Sequence, residues 1–224
     1  MTSYYEDWQA LVGNKEDVSE QVREHLMFLV SGSEDEELLD NLMEQFVEAD
    51  IIDEKLVLRF EYADNKGEMA DIKCEAPFEG DDDAAPASWV ALAQAHNGIH
   101  WEARGGGWFT FNGLNEDGGC KEWGWDFNVL EEASDDNESF IESLEEAGYS
   151  LPDLLGVIDY GQNWIIGNPA ELNAMDEPTL HFVSHDECIA AYIDSADDLT
   201  LPQFFLRLLC ETILNEKHIE EIYS

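Results

Sequence analysis

The chain has 224 residues, of which 52 are acidic and 10 are basic, and its formal net charge is -42 at pH 7. Charge of this sign argues against direct binding to nucleic acid, whose phosphates repel carboxylates. No apolar run reaches the roughly 18 residues of a membrane span, and the acidic N-terminus lacks the pattern of a secretory signal. Because 44% of the residues are hydrophobic, a packed core is expected. The totals predict a folded, cytoplasmic, acidic protein.

So large a charge repels itself and destabilises a compact state, so it requires an explanation. An anionic field can attract and steer a cationic partner. The carboxylates can also imitate the phosphates of nucleic acid and occupy a protein's nucleic-acid site. Finally, the acidity can be an adaptation to high salt without any specific partner. Composition alone leaves all three explanations open.

The first 80 residues predict two helices followed by a β-hairpin. Residues 17–31 carry apolar side chains at helical spacing, and a second amphipathic stripe runs from Ser33 through Phe46 and Val47. The Ser-Gly-Ser segment between them predicts a helical hairpin. Residues 55–62 alternate apolar and polar side chains, and with MADIKCEA after the turn-like ADNKGE they predict a β-hairpin.

The stretch EGDDDAAP at 79–86 breaks this pattern and predicts a boundary between an N-terminal extension, 1–80, and a domain, 81–224. PASWVALAQAHNG then predicts a short helix that ends at its Asn-Gly pair. Strands are predicted in IHWEA, GGGWFTFNGL, EWGWDFNVL, LLGVIDYG, NWIIGNP and TLHFVS. SFIESLEEAG and a segment from about Thr200 are predicted helices. The order of these elements predicts an α+β fold.

Residues 86–210 resemble the SMI1/KNR4 (SUKH) superfamily in the order and spacing of their segments. PASWVALAQAHNG is similar to the family's proline-initiated helix, WFTFNGLNE to the strand and loop that follow, and LGVIDYGQNWIIGNP to its central hairpin. TLHFVSHDE, with His185 and Asp186, resembles the next strand, and ADDLTLPQFFLRLL resembles the last helix. The resemblance implies a SUKH-like antiparallel sheet packed with helices, here preceded by the helical hairpin and the β-hairpin.

Bacterial members of this superfamily are commonly immunity proteins, which bind and neutralise polymorphic toxins, often nucleases; other members are regulatory interaction proteins. Nucleases are basic, so an acidic inhibitor suits them. We therefore expect a non-enzymatic immunity protein that needs no cofactor and occludes a basic toxin domain, with nucleases as the favoured class. Two alternatives stay open: an acidic nucleic-acid mimic or regulatory scaffold that binds host basic proteins, and a halophile-adapted domain without a specific basic partner.

Acidic runs and neighbouring aromatic residues define the predicted partner-binding site. No Lys or Arg occurs in the 85 residues from Glu122 to Leu206. Aromatic side chains beside acidic loops fill pockets on a partner, since such anchors dominate binding energy whereas rim charges mainly set the association rate. The residues predicted to contact the partner are Asp81, Asp82, Asp83, Glu131, Glu132, Asp135, Asp136, Glu138, Trp123 and Trp125.

Patterns that suggest catalysis or metal binding are weaker. With 52 acidic residues, carboxylate pairs arise everywhere and do not indicate acid–base chemistry. His181, His185 and Cys188 have the residue types of a zinc site. Strand residues four positions apart, however, lie about 13 Å apart. We expect neither a metal site nor catalytic residues.

Overall fold

The structure, a computed structural model, describes residues 3–13, 15–80, 85–102, 108–115, 118–120, 142, 145–146, 148–149, 153–161, 163–184 and 189–219. Within these ranges the helices are α1 (Ser3–Gly13), α2 (Val18–His25), α3 (Ser33–Met43), α4 (Ala87–Ala95) and α5 (Leu201–Leu214), with 3₁₀ turns at Leu26–Leu29 and Asp194–Ala196. The strands are β1 (Phe46–Ile52), β2 (Lys55–Glu61), β3 (Met69–Cys74), β4 (Ile99–Glu102), β5 (Trp108–Phe111), β6 (Leu155–Tyr160), β7 (Asn163–Leu172), β8 (Pro178–Ser184) and β9 (Ile189–Tyr192). Helices and one antiparallel sheet together confirm the predicted α+β class.

The nine strands form one sheet in which each strand pairs with the next along the chain. All the pairings are antiparallel, so the sheet is a meander. The turn between β1 and β2 consists of Asp53 and Glu54, which both have positive φ angles, 50° and 64°. Two-residue hairpin turns favour this conformation because its twist matches that of the strands. Within the described residues, β1 and β9 are the two edges of the sheet.

The sheet continues across the boundary predicted at residues 80 and 81. β3 lies before this position and β4 after it, yet the two strands pair, with Ile72 opposite Trp101. One hydrophobic cluster contains side chains from both sides, among them Trp8 of α1 and Ile213 of α5. The stretch 79–86 therefore connects two parts of one sheet with a common core.

The core lies between one face of the sheet and the helices. On this face Trp101, Phe109 and Tyr160 stack across β4, β5 and β6, with ring centroids 4.7 Å and 4.3 Å apart. Phe205 of α5 meets Trp101 edge-on at 5.3 Å. Offset and edge-on ring contacts of this kind add to the burial of apolar area. The stack fixes α5 against the middle of the sheet.

Helix α4 lies so close to β7 that residue 167 has no room for a Cβ atom unless Trp89 shifts. A Cβ atom at Gly167 would lie 2.6 Å from the Cη2 atom of Trp89, which is buried in α4. Glycine in a strand commonly marks such a close approach.

A pair of histidines joins α2 to the end of α4. The two Nε2 atoms of His25 and His96 lie 2.9 Å apart, and Nδ1 of His96 donates to the carbonyl oxygen of Glu75 at 3.2 Å. This assigns the Nδ1–H tautomer to His96, so its Nε2 accepts the hydrogen bond from His25. Burial lowers the pKa of His25, and it lowers the pKa of His96 to about 3. Both rings are neutral at pH 7.

Some local predictions differ from the structure. Phe46 and Val47 were predicted to extend the second helix. In the structure α3 ends at Met43, and both residues belong to strand β1. A register shift between Phe46 and Glu48 interrupts the alternation that would have identified this strand. Helix α1 and strand β9 were not predicted. EWGWDFNVL lies outside the described residues, as does most of SFIESLEEAG.

Candidate partner-binding surfaces

The predicted partner-binding residues all belong to the part of the chain that the structure does not describe. Asp81, Asp82, Asp83, Glu131, Glu132, Asp135, Asp136, Glu138, Trp123 and Trp125 all lie outside the described residues. A candidate site is therefore built from the residues that the structure describes. Exposed large apolar side chains are the informative ones, because grouped apolar surface marks interaction sites whereas charge is usual on any surface.

These side chains form two groups. Val47, Ile52, Met69 and Trp108 lie on β1, β3 and β5, and Leu172, Met175 and Tyr192 lie around the β7–β8 turn and β9. We call the side of β1–β5 that faces away from the core the N-terminal sheet face. We call the second surface the acidic end; it comprises Glu171, Leu172, Met175, Asp176, Tyr192, Asp194, Asp197 and Asp198.

Asn173 holds the backbone of the acidic end. Its Oδ1 accepts hydrogen bonds from the backbone N–H groups of Met175, at 2.9 Å, and Glu177, at 3.0 Å. Its Nδ2 donates to the carbonyl oxygen of Leu199 at 3.0 Å. Asn173 is buried, so these bonds do not exchange readily with water. The amide thereby fixes the β7–β8 turn against the segment that precedes α5.

Two further bonds strengthen this junction. The backbone N–H of Ala174 donates to the carbonyl oxygen of Asp197 at 3.0 Å. The carboxylate of Glu177 is buried and accepts a hydrogen bond from the backbone N–H of Leu201 at 3.2 Å. Leu201 is the first residue of α5, and a carboxylate is favourable there because the N-terminal end of a helix dipole carries a partial positive charge. The exposed side chains of the acidic end thus stand on a well-supported backbone.

Three carboxylates of the acidic end, those of Asp194, Asp197 and Asp198, lie near Tyr192. Its hydroxyl donates to Asp197 at 2.6 Å. Partial burial, this hydrogen bond and the charges of Asp197, Asp194 and Asp198 raise the pKa of Tyr192 to about 12. The phenol therefore stays neutral while three carboxylates stand beside it. A cationic partner would relieve their mutual repulsion.

Arg207 is the first basic residue after the cation-free stretch, and it is buried in the core. Its Nη1 donates to Oδ1 of Asp35 at 2.9 Å. Asp35 also accepts hydrogen bonds from the backbone N–H of Ser31, at 2.9 Å, and from Nε2 of Gln203, at 2.8 Å. Burial by itself would raise the pKa of Asp35, but these donors and the Arg207 charge lower it. The ion pair between Arg207 and Asp35 joins α3 to α5, so the positive charge of Arg207 neutralises Asp35 and not the carboxylates of the acidic end.

The N-terminal sheet face, in contrast, carries paired charges. Arg59 donates from Nε and Nη2 to the carboxylate of Asp71, at 2.6 Å and 3.0 Å, and from Nη1 to Glu48. Hydrogen bonding and the charge of Arg59 lower the pKa of Asp71 despite its partial burial. Nζ of Lys55 lies 2.5 Å from Oε1 of Glu75. Each such exposed pair contributes at most about 1 kcal/mol, but together they reduce the charge of this face.

A groove of about 460 Å³ crosses the N-terminal sheet face. Trp108 lies next to it, since it pairs with Glu102 across β4 and β5. The groove is lined by Val47, Glu48, Arg59, Met69, Asp71, Lys73 and Glu102.

His181, one of the three residues considered for a zinc site, has hydrogen-bond partners on both ring nitrogens. The hydroxyl of Tyr149 lies 2.9 Å from Nδ1 of His181, and Oγ1 of Thr179 lies 2.9 Å from Nε2. His185 and Cys188 lie outside the described residues. Among the residues that the structure does describe, no group of three or more His, Cys, Asp or Glu side chains is arranged to hold a metal ion.

Comparison of the chain with protein-family models, with curated proteins and with solved structures finds no match. The resemblance to the SUKH superfamily therefore stays a prediction, based on the order of its motifs. None of the described helices is long and apolar enough to cross a membrane. The sequence pattern predicted neither of the two surfaces described above. The acidic end does lie within the stretch from Glu122 to Leu206 that has no Lys or Arg.

Proposed function

We propose that this protein is a cytoplasmic, non-enzymatic immunity protein that captures a basic toxin domain, with nucleases as the favoured class. It would cover the toxin's active or nucleic-acid-binding surface. The observation that supports the proposal is the acidic end, where exposed apolar side chains and carboxylates lie on two segments joined by backbone hydrogen bonds, within a stretch of chain that has no Lys or Arg. The carboxylates are those of Glu171, Asp176, Asp194, Asp197 and Asp198.

The two kinds of side chain at the acidic end have separate roles in this proposal. Leu172, Met175 and Tyr192 are exposed and provide apolar contacts that slow dissociation. The carboxylates attract Lys and Arg of the partner and raise the association rate. The Lys and Arg side chains with which a nuclease neutralises phosphates are the natural targets. Binding alone inhibits such an enzyme, so no chemical step by this protein is required.

The experiment first asks whether a neighbouring gene encodes a toxin with a variable C-terminal domain, and then tests that domain for inhibition by the purified protein. We expect stoichiometric inhibition. We expect Asp194→Asn/Asp198→Asn to reduce the association rate constant severalfold at low salt, because the two carboxylates supply part of an electrostatic steering that changes rates by about 10- to 1,000-fold in total. Glu16→Gln/Glu20→Gln is the matched control, since it removes the same charge near α2 and should change the rate much less.

The alternatives lead to different results. A nucleic-acid mimic would leave the toxin active and bind several unrelated host DNA-binding proteins. A halophile-adapted domain would bind neither, and it would require molar salt to fold. Absence of inhibition by the folded protein would therefore refute the proposal. Equal effects of the two double variants on the association rate would show that the acidic end is not the binding surface.

A further inference from the structure

The two edges of the sheet differ in how well they are protected. An edge strand presents unpaired backbone N–H and C=O groups, and proteins usually guard it with charges, bulges or covering elements. Glu48 and Asp50 lie on β1, its register shifts between Phe46 and Glu48, and α1 and α2 both contact it. Oδ1 of Asp50 also accepts a hydrogen bond from the N–H of Ile51 at 2.8 Å. The β1 edge is therefore poorly suited to pairing with a further strand.

Strand β9, at the other edge, has fewer guards. Its sequence, Ile-Ala-Ala-Tyr, contains no charged residue and no proline, and its pairing with β8 has no bulge. Ala191 and Tyr192 are exposed, and Ala190 is half-buried. Among the strands that the structure describes, none pairs with the outer side of β9. Strand β9 is therefore the edge at which the sheet can accept another strand.

The register of β9 identifies the backbone groups that point outward. The N–H of Ile193 donates to the carbonyl oxygen of Leu180 at 3.0 Å, so these two residues form a hydrogen-bonded pair. Hydrogen-bonded and non-hydrogen-bonded pairs alternate along an antiparallel ladder. Ala191 is therefore bonded to β8, whereas Ala190 and Tyr192 direct their N–H and C=O groups away from it. An added strand would exchange a pair of hydrogen bonds with each of these two residues.

The charges around this edge indicate what kind of strand it would accept. Strand β9 leads directly into the acidic end, where Asp194, Asp197 and Asp198 lie near Tyr192. A strand from a second copy of this chain would bring together two molecules of net charge -42, which repel each other. Lys and Arg on a basic strand would instead be attracted to the carboxylates. Charge complementarity thus favours a basic strand.

From these observations we propose that an extended, basic segment of the partner adds to the sheet beside β9 as a further strand. This inference rests on the proposed function and specifies how the partner binds. Backbone hydrogen bonds to Ala190 and Tyr192 align the segment, and its Lys and Arg side chains contact the carboxylates that follow β9. Main-chain pairing supplies affinity in such complexes, while the side chains supply specificity.

The test uses two synthetic peptides of equal length and charge, one alternating arginine with valine and the other alternating arginine with glycine. Each is titrated calorimetrically into the whole chain at about 0.3 M salt, where exposed charges are largely screened. The wild-type protein should bind the Arg-Val peptide at least about tenfold more tightly, because valine favours a strand and glycine does not.

Variants at two adjacent positions separate strand addition from general attraction. Ala190→Pro removes an outward N–H without breaking a bond to β8, so it should abolish the difference in affinity between the peptides. Ala190→Ser preserves this N–H and should retain the difference. Ala191→Pro removes a bond to β8 and should lower the free energy of unfolding more than Ala190→Pro does, which checks the assigned register.

Hydrogen exchange followed by NMR gives a second measurement that needs no variant. The Arg-Val peptide should protect the amides of Ala190 and Tyr192 and leave those of β1 unchanged. Equal affinity of the two peptides for the wild type, a difference that persists in folded Ala190→Pro, or unprotected amides at both positions would overturn the proposal. A dimer of the free chain that Ala190→Pro abolishes would also overturn it, because the edge would then belong to a second copy.

The two proposals fail in different experiments. The peptide titrations contain no toxin, so a negative result there would exclude strand addition and leave inhibition through the side chains of the acidic end intact. A folded protein that binds the Arg-Val peptide as expected but inhibits no toxin would refute the immunity function and leave the strand-binding edge in place.

Discussion

Replacing Arg207 with Met tests the buried contact that holds α5 to α3. The substitution preserves much of the side-chain volume but removes the counter-ion of Asp35. Asp35 is only 2% exposed, so its carboxylate would remain buried with hydrogen bonds from Ser31 and Gln203 alone. Because α5 also begins at the acidic end, this contact contributes to the support of the proposed binding surface.

The expected loss of stability in Arg207→Met follows from the burial of Asp35. Removing one partner of a buried ion pair costs about 3–5 kcal/mol, because the remaining charge is uncompensated. That is a large part of the roughly 5–15 kcal/mol by which folded proteins are stable. In Asp35→Leu/Arg207→Met both charges are gone, and apolar side chains of similar volume are often close to neutral in such places. Because the double variant also leaves the Ser31 N–H and the Gln203 amide without Asp35 as an acceptor, we expect it to lose about 1–3 kcal/mol relative to the wild type, less than the sum of the two single variants.

Urea denaturation followed by circular dichroism measures the free energy of unfolding of the wild type, the two single variants and the double variant at pH 7. The double-mutant cycle should show a coupling energy of several kcal/mol between Asp35 and Arg207. The folded-state pKa of Asp35 lies below its unfolded value, so its contribution is present above the unfolded pKa and is lost as pH falls through the folded pKa. A loss below about 1 kcal/mol in Arg207→Met, or additive losses in the double variant, would refute the reasoning.

Other expectations concern the histidine pair, the α4–β7 contact and the apolar side chains of the acidic end. The pKa values of His25 and His96 are lower in the folded state than in the unfolded chain. Their contribution to the free energy of unfolding is therefore complete above the unfolded pKa near 6.5 and is lost as pH falls toward 3. Urea titrations from pH 7 to pH 5 should show a larger relative loss of this free energy in the wild type than in His96→Leu. Gly167→Ala should lower the free energy of unfolding by about 1–3 kcal/mol, since its Cβ overlaps the ring of Trp89. In a double-mutant cycle the same substitution should cost less in a Trp89→Leu background than in the wild type, and an equal cost in both would contradict the overlap as the cause. Leu172→Ala should raise the dissociation rate of a toxin complex with little change in its association rate, measured by interferometry; the opposite pattern would contradict the assigned role.

Much of the fold was predictable from local patterns. The alternation of Leu56, Leu58 and Phe60 identified β2, because a half-buried strand repeats every two residues. The closing helix was placed correctly because Thr200 and Pro202 mark its start, and the structure adds a capping box between Thr200 and Gln203. Strand β1 was missed because the irregularity after Phe46 breaks its period.

The candidate site was much less predictable, for a physical reason. Continuous runs of acidic residues are easy to recognise in a sequence. The acidic end is instead formed by Glu171, Asp176 and the segment 194–198, which are not adjacent in the chain. They meet because the buried amide of Asn173 bonds to the backbone on both sides of the junction. A single asparagine in a turn gives no sign in the sequence that it organises such a contact.

The most direct test of the proposed function is the association rate of the purified protein with a basic toxin domain as a function of salt, and a toxin encoded by a neighbouring gene is the first partner to test. With the acidic end as the docking surface, the wild-type rate should fall at least about tenfold between about 0.05 M and 0.5 M salt. Asp194→Asn/Asp198→Asn should give a shallower dependence, whereas Glu16→Gln/Glu20→Gln should follow the wild type. A rate that does not change with salt, or the absence of a complex, would contradict the proposal.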